Sequence, residues 1–239
     1  TIMQNHCPQN INHEKARIAN LFGNPIHEEC LAAAKMAKLQ FILNVALNKE
    51  KKIIAAFAGD LQKAHETGCA FVKEQMQVPV TKADIVITSN NGYPLDRNVY
   101  QTVKGMETAS LAVKPGGVII LAAECLDGVA HEKFANLIYA CRDIRELYEK
   151  YSQGNPAIDQ WQVQVMARVL IKHPVILVTQ SMKKEEVERL HLRYACDLEE
   201  ALQQAFALVG NTAKVSVMPE GPVVIPVNKE KVDERDPRF

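Results

Sequence analysis

Ala83-Asp84-Ile85-Val86-Ile87-Thr88, followed by Ser89-Asn90-Asn91-Gly92-Tyr93-Pro94-Leu95-Asp96, is a short apolar run that ends in a turn-rich loop. An apolar stretch of strand length without polar alternation is what a sheet covered on both faces requires. The loop gathers Asn, Gly and Pro, the residues that supply turn geometry. Beyond it the spacing predicts a helix from about Asp96 to Ala112, a break at Lys114-Pro115-Gly116-Gly117, and a second buried strand from Val118 to Ala123. Strand, loop, helix, strand is the rhythm of a βαβ unit, which binds ligands at the carboxyl ends of its strands.

Toward the amino terminus, Asn24-Pro25 opens a helix: Pro25 suits a first turn, and Glu28 and Glu29 favour the positive helix end. Phe41 to Leu47 and Lys52 to Ala58 read as two strands joined by a hairpin turn at Asn48 to Lys51. Asp60 is suited to cap a helix running to about Met76. Thr1 to Leu21 lacks periodicity and is expected to be a loop or linker. In the other direction, helices are expected at His131 to Ala140, Arg142 to Tyr151, Ile158 to Ile171, Lys184 to Leu190 and Leu198 to Leu208. Strands are expected at Pro174 to Val178, Val215 to Val217 and Val223 to Val227. The expected fold class is α/β, a mixed sheet with flanking helices. It is divided into an N-terminal segment or linker (1–22), a main domain (23–227) and a charged tail (228–239).

Composition narrows the function. Lys+Arg and Asp+Glu are both 28, so the formal net charge is zero and no excess field gathers nucleic acid or an anionic membrane. The apolar runs fall far short of the roughly 20 residues that cross a bilayer. Cys7, Cys30, Cys69, Cys125, Cys141 and Cys196 are scattered, with no C-x-x-C pair, which argues against a zinc ribbon or thioredoxin-like motif. Reduced cysteines and a cytoplasmic location are expected, with no nucleic-acid or membrane partner. The first residue is Thr1 rather than Met, and a truncated piece or proteolytic fragment is expected.

On the helix after the loop, Tyr100 and Lys104 are four residues apart and Gln101 and Lys104 three, so all three share one face. A phenol, an amide and an ammonium together suit a carboxylate or phosphate, with Lys104 as the point charge and the others fixing orientation. A solvated amphipathic face has the same pattern.

The run "NGYPLD" at Asn91 to Asp96 with "YQ" and "KGM" downstream, then "VKPGGVIILAAEC", resembles the C-terminal domain of the nickel-dependent lactate racemase (LarA) family. Other blocks agree in order: "NHCP" from Asn5, "GNPIHEE" from Gly23, "FILNVALN" from Phe41, "FAGDLQKAHETG" from Phe57 and "DQWQ" from Asp159. The resemblance implies a nickel-pincer nucleotide, in which nickel is bound by a carbon and two sulfurs of a pyridinium mononucleotide. A lysine holds it covalently and a histidine supplies the fourth ligand. It further implies inversion of a 2-hydroxy acid by hydride transfer to the ring, with histidine bases moving the hydroxyl proton.

Carried onto this sequence, the resemblance makes His6 the nickel ligand; Cys7 beside it receives no role. Tyr100, Gln101, Lys104 and Trp161, the only tryptophan, become substrate- or cofactor-binding residues. His27 and His65 are read as structural. Asn91 stands where the family usually has glycine, which Asn tolerates at positive φ. Arg97 stands where glutamine is common, placing an extra charge near the site.

The family's catalytic histidines, substrate-binding arginine and cofactor-anchoring lysine belong to segments preceding "NHCP". No catalytic residue is therefore expected in this chain, the cofactor is expected to be absent from it, and its expected partner is the missing N-terminal domain of the same protein. The leading expectation is the C-terminal part of a 2-hydroxy-acid (lactate) racemase with its site at an interdomain cleft, inactive by itself. The alternatives are a non-catalytic module for a nucleotide or organic anion and, with least support, a zinc hydrolase, for which no H-E-x-x-H is present.

Overall fold

A computed structural model describes residues 2–229, so most of the expected charged tail lies outside the described residues. The chain divides into two compact units, 1–77 and 78–239.

The first unit contains α1 (Ile2–Asn5), α2 (Pro8–Asn12), α3 (Pro25–Met36), β1 (Ile42–Leu47), β2 (Ile53–Gly59) and α4 (Leu61–Met76). The opening expected as a loop holds two short helices, tied to α3 by side-chain amides. Asn5 donates to the Ile26 carbonyl at 3.1 Å and to Glu29 at 3.0 Å, and Asn10 donates to Glu29 at 3.2 Å. Both short helices and the hairpin fall in this first compact unit, which ends at Gln77. β1 and β2 pair antiparallel as the spacing predicted, with Asn48 accepting from Lys52 across the turn. Asp60 caps α4 through Gln62 N and Lys63 N. Phe57 packs against Phe71 and Gly68, which covers one face of the hairpin.

The second unit runs β3 (Gln77–Val80), β4 (Ala83–Ser89), α5 (Val99–Ala112), β5 (Val113–Ala122), α6 (Glu132–Tyr139), α7 (Ile144–Tyr151), α8 (Gln160–Leu170), β6 (Val175–Val178), α9 (Lys184–Glu188), β7 (Arg193–Ala195), α10 (Leu198–Val209), β8 (Val215–Met218) and β9 (Ile225–Asn228). Five strands form a sheet in the order β7-β6-β5-β4-β8. The class is α/β with flanking helices, as expected; within this sheet every pairing is parallel, and antiparallel strand pairing appears in the β1–β2 hairpin. The helix expected from Asp96 starts at Val99, because Asn98 caps it by accepting from Gln101 N.

Both sheet faces are buried, which explains the unbroken apolar runs. Val86, Ile119, Leu121, Val175 and Leu177 face the layer formed by α5 to α9, while Ile85, Val118, Ile120 and Ile176 pack on Ala201 and Ala205 of α10. Each fully buried Ile, Leu or Val contributes about 1.5–3 kcal/mol. The strands step outward from β4 to β7, and α10 then returns the chain across the opposite face to β8 beside β4. The strand order therefore reverses between β4 and β8, and the crevice at such a reversal is where open α/β sheets bind ligands.

Candidate active site

The loop after β4 is built around Asn90, which is fully buried. Its amide donates to the Leu95 and Gln101 carbonyls, and its Oδ1 accepts from Gly105 N at 3.1 Å. Gly105 allows close packing here: a Cβ would lie 3.0 Å from Asn90 Oδ1 and 3.3 Å from the Ser89 carbonyl, so both would have to give by a few tenths of an ångström. A single side chain thus ties the end of β4, the loop and the first two turns of α5 together. An isolated bridge from Asn90 to Glu220 joins this corner to the segment after β8.

Asn91 adopts φ +67°, the left-handed conformation expected of a residue in a glycine position. Arg97 pairs with Asp127 at 2.6 Å and lies over the Tyr93 ring, so its charge is matched locally. Asp96 is 8% exposed, and its Oδ2 accepts from Glu124 N, while Oδ1 has no partner among the described residues. Burial and the Asp96 charge push the Cys125 thiol up to about 12, so it stays protonated.

The first N–H groups of α5 are already occupied. Val99 N and Tyr100 N donate to the Gly128 and Val129 carbonyls, and Gln101 N donates to Asn98. An anion at this helix end must therefore be held by side chains. Lys104 Nζ donates to Gln101 Oε1 at 2.7 Å, which confirms the shared face and leaves the pair offering N–H donors outward. Tyr100 is half-buried and receives a hydrogen bond from the Trp161 indole. Burial first, then the Asp159 charge, raises the phenol above its ordinary value, so it remains a neutral O–H donor.

Helix α8 brings Trp161 to this point. Gln162 donates to the Tyr100 carbonyl at 2.7 Å, and Arg168 pairs with Glu107 at 2.8 Å a few turns along. The residues surrounding the phenol lie far from it in the chain and share no helical spacing with it. His131, just before α6, stacks on Tyr100 with centroids 4.8 Å apart and planes at 15°, and Phe134 meets the same ring edge-on. Asp159, immediately before α8, lies 3.6 Å from His131 Nδ1. Asp159 was visible in "DQWQ", but nothing in the sequence linked it to Tyr100 or His131.

His6 belongs to the first unit. Its Nδ1 is 3.2 Å from the Ile2 carbonyl, a contact of the kind that orients a ligating imidazole through its other nitrogen. Among the described residues, no three His, Cys, Asp or Glu gather as a metal site. His27 and His65 stack on each other, with His65 beside Cys69. A lone imidazole fits a metal that arrives carrying most of its own donors and does not fit one held by protein ligands alone.

A cavity of about 380 Å³ between Lys82, Lys172 and His173 lies at the opposite, amino-terminal edge of the sheet, where α5 and α8 end. The carboxyl ends of α5 and α8 that border this cavity carry the negative end of the helix dipole.

The chain is thus an α/β domain in which the reversal point of a parallel sheet lies beside an amide, an ammonium, a phenol and an indole. Residues 78–226 match the family model described as the lactate racemase C-terminal domain, and the chain belongs to that family. It is 47% identical over 227 residues to a lactate racemase of Thermoanaerobacterium thermosaccharolyticum, covering 94% of this chain and 53% of the relative. It is 44% identical over 229 residues to that of Lactiplantibacillus plantarum, covering 94% and 54%. The solved lactate racemase apoprotein from the Thermoanaerobacterium species superposes with a TM-score of 0.92 at 46% identity, covering 95% of this chain and 55% of that one. A Thermotoga maritima protein, at TM-score 0.59 and 18% identity over 86% of this chain and 54% of its own, shares the fold alone. The chain spans about half the length of the curated relatives it matches. Among the described residues no helix is long and apolar enough to cross a membrane.

Proposed function

We propose that this chain is the C-terminal part of a cytoplasmic 2-hydroxy-acid racemase that interconverts the D and L forms of lactate. The observation that carries this reading is the hydrogen-bonded Lys104–Gln101 pair beside the Tyr100–Trp161 pair at the sheet's reversal point, in a chain of this family.

The substrate carboxylate sits against Lys104, whose ammonium supplies the charge, with the Gln101 amide as a second donor. Tyr100 donates its O–H to a substrate oxygen, and the Trp161 N–H fixes the phenol's direction. Trp161 also walls off water on the α8 side. His6 would hold the metal of a nickel-pincer nucleotide as an imidazole ligand. When bound, that group supplies the acceptor for the substrate's α-hydrogen. The groups that move the hydroxyl proton and anchor the nucleotide belong to the preceding half of the relatives' length, so this chain alone neither racemises nor holds the cofactor covalently.

Elemental analysis and intact mass of the full-length protein, from a host able to make the nucleotide, test the reading. Nickel and added mass in the wild type, with nickel lost in His6→Ala, are expected. Neither nickel nor added mass, with a mononucleotide still binding at Lys104, would favour a non-catalytic binding module.

A further inference from the structure

Asp159 is peculiar on three counts. It occupies the N-cap position of α8, yet its side chain makes no capping hydrogen bond. Its backbone is left-handed, with φ +66°, a strained conformation for a residue other than glycine that persists where surroundings impose it. It is also a carboxylate only 6% exposed. A capping Asp ordinarily accepts from the first N–H groups of its helix, as Asp60, Asp143 and Asp197 do here. Asp159 instead turns its carboxylate toward the His131 imidazole, 3.6 Å away.

His131 sits at the corresponding place before α6 and does not cap its helix either. Its side chain is 56% exposed, so burial does not hold the ring in place. What does hold it is Tyr100 beneath, at 4.8 Å and nearly parallel, and Asp159 at its Nδ1 edge. The Tyr100 phenol is thereby bounded by the imidazole on one face, by Phe134 edge-on and by the indole bond at its oxygen.

We propose that His131 and Asp159 are positioning residues for the ligand site: Asp159 fixes the imidazole, and the imidazole fixes the plane of Tyr100. The arrangement uses three helix starts, α5, α6 and α8, to lock one phenol. It explains why the carboxylate before α8 is withdrawn from capping, which a purely structural role would not require. The kinetic part of the test rests on the racemase reading, and the spectroscopic part does not.

Two substitutions isolate the coupling. His131→Phe keeps a flat ring on Tyr100 but removes the edge that meets Asp159. Asp159→Asn removes the charge while tolerating positive φ, so the backbone is undisturbed. In the full-length, cofactor-loaded protein, each single change is expected to raise KM for the hydroxy acid by about tenfold, with kcat changed far less, and the double variant should be no worse than either single. In this chain alone, the emission of Trp161, the only tryptophan, should shift to longer wavelength in each single variant as the phenol loosens, and by the same amount in the double.

Independent effects that multiply in the double variant, or single variants with unchanged KM and unchanged emission, would overturn the proposal. If the wild-type full-length protein fails to racemise, the functional reading falls. The emission pattern then still decides whether Asp159 acts on Tyr100 through His131.

Discussion

The two compact units bury their apolar residues very differently. In the second, Ile85, Val86, Val118, Ile119, Ile120, Leu121, Ile176 and Leu177 have no exposed surface, and Phe134, Met106 and Leu147 fill the helix layer above them. In the first, the buried residues among those described are Pro8, Ile11 and the small Ala46 and Ala64, while Leu43, Val45, Leu47, Ile53 and Ile54 remain between 45% and 65% exposed. The same β-branched and aliphatic residues thus do opposite work. In a sheet covered on both faces they drive folding; in a hairpin covered on one face they leave apolar surface that a stable isolated domain rarely shows. The second unit encloses its large aliphatic residues, while the hairpin unit leaves an apolar strand face exposed.

The difference can be broken or sharpened by experiment. Amides of β4, β5 and β6 should exchange with deuterium only on global opening, so their protection should exceed that of β1 and β2 by at least about a hundredfold; equal protection would erase the contrast. Under urea, Phe134→Ala should cost about 3–5 kcal/mol, against no more than about 0.5 kcal/mol for Leu43→Ala. Gly221→Ala tests the β4–β8 seam, since a Cβ there would meet Thr88 Oγ1 at 2.5 Å and the Ser89 carbonyl at 2.7 Å. It should lower the melting temperature through a loss of about 1–3 kcal/mol. Asp60→Ala removes the cap of α4 and should cost about 1 kcal/mol, read as faster exchange confined to that helix's first turn.

The smallest effect is a pH dependence of the second unit. Burial holds His173 and His191 below the ordinary 6.5, despite a hydrogen bond from His173 to the Gly117 carbonyl at 3.2 Å. The unfolded chain then takes up protons at pH values where the folded one does not, so stability falls as pH drops below 6.5 toward the depressed values. His173→Gln should flatten that acid-side decline in the melting temperature, and an unchanged slope would remove His173 from the account.

Much of this arrangement was legible in the sequence, for identifiable reasons. Buried parallel strands announce themselves as apolar runs, and Asp60 before a helical period announces a cap. The three-residue edge strand Arg193–Ala195 carries too little pattern to be read. Lys114-Pro115-Gly116-Gly117 looked like a break, yet it lies within β5 beside a register shift against β4. Gly117 is required there because a Cβ would come within 2.5 Å of the Asp84 carbonyl. Close approach between backbones leaves no periodic signature. Tyr100, Gln101 and Lys104 could be grouped because helical spacing alone puts them on one face. His131 meets Tyr100 from beyond β5, and Asp159 meets His131 from beyond α7, and no local rule reaches that far. Asn90 read only as a turn residue, because burial of its amide among three backbone partners is a tertiary fact.

The central claim is that the α5 face binds the carboxylate of a racemised 2-hydroxy acid. A chiral assay of lactate interconversion by the full-length, cofactor-loaded protein, run on wild type and Lys104→Ala, tests it most directly. Racemisation by the wild type, with KM raised at least about tenfold in the variant as a charged hydrogen bond is lost, is the predicted result. Equal KM in both proteins, or no racemisation by a wild type shown to carry nickel, would contradict it.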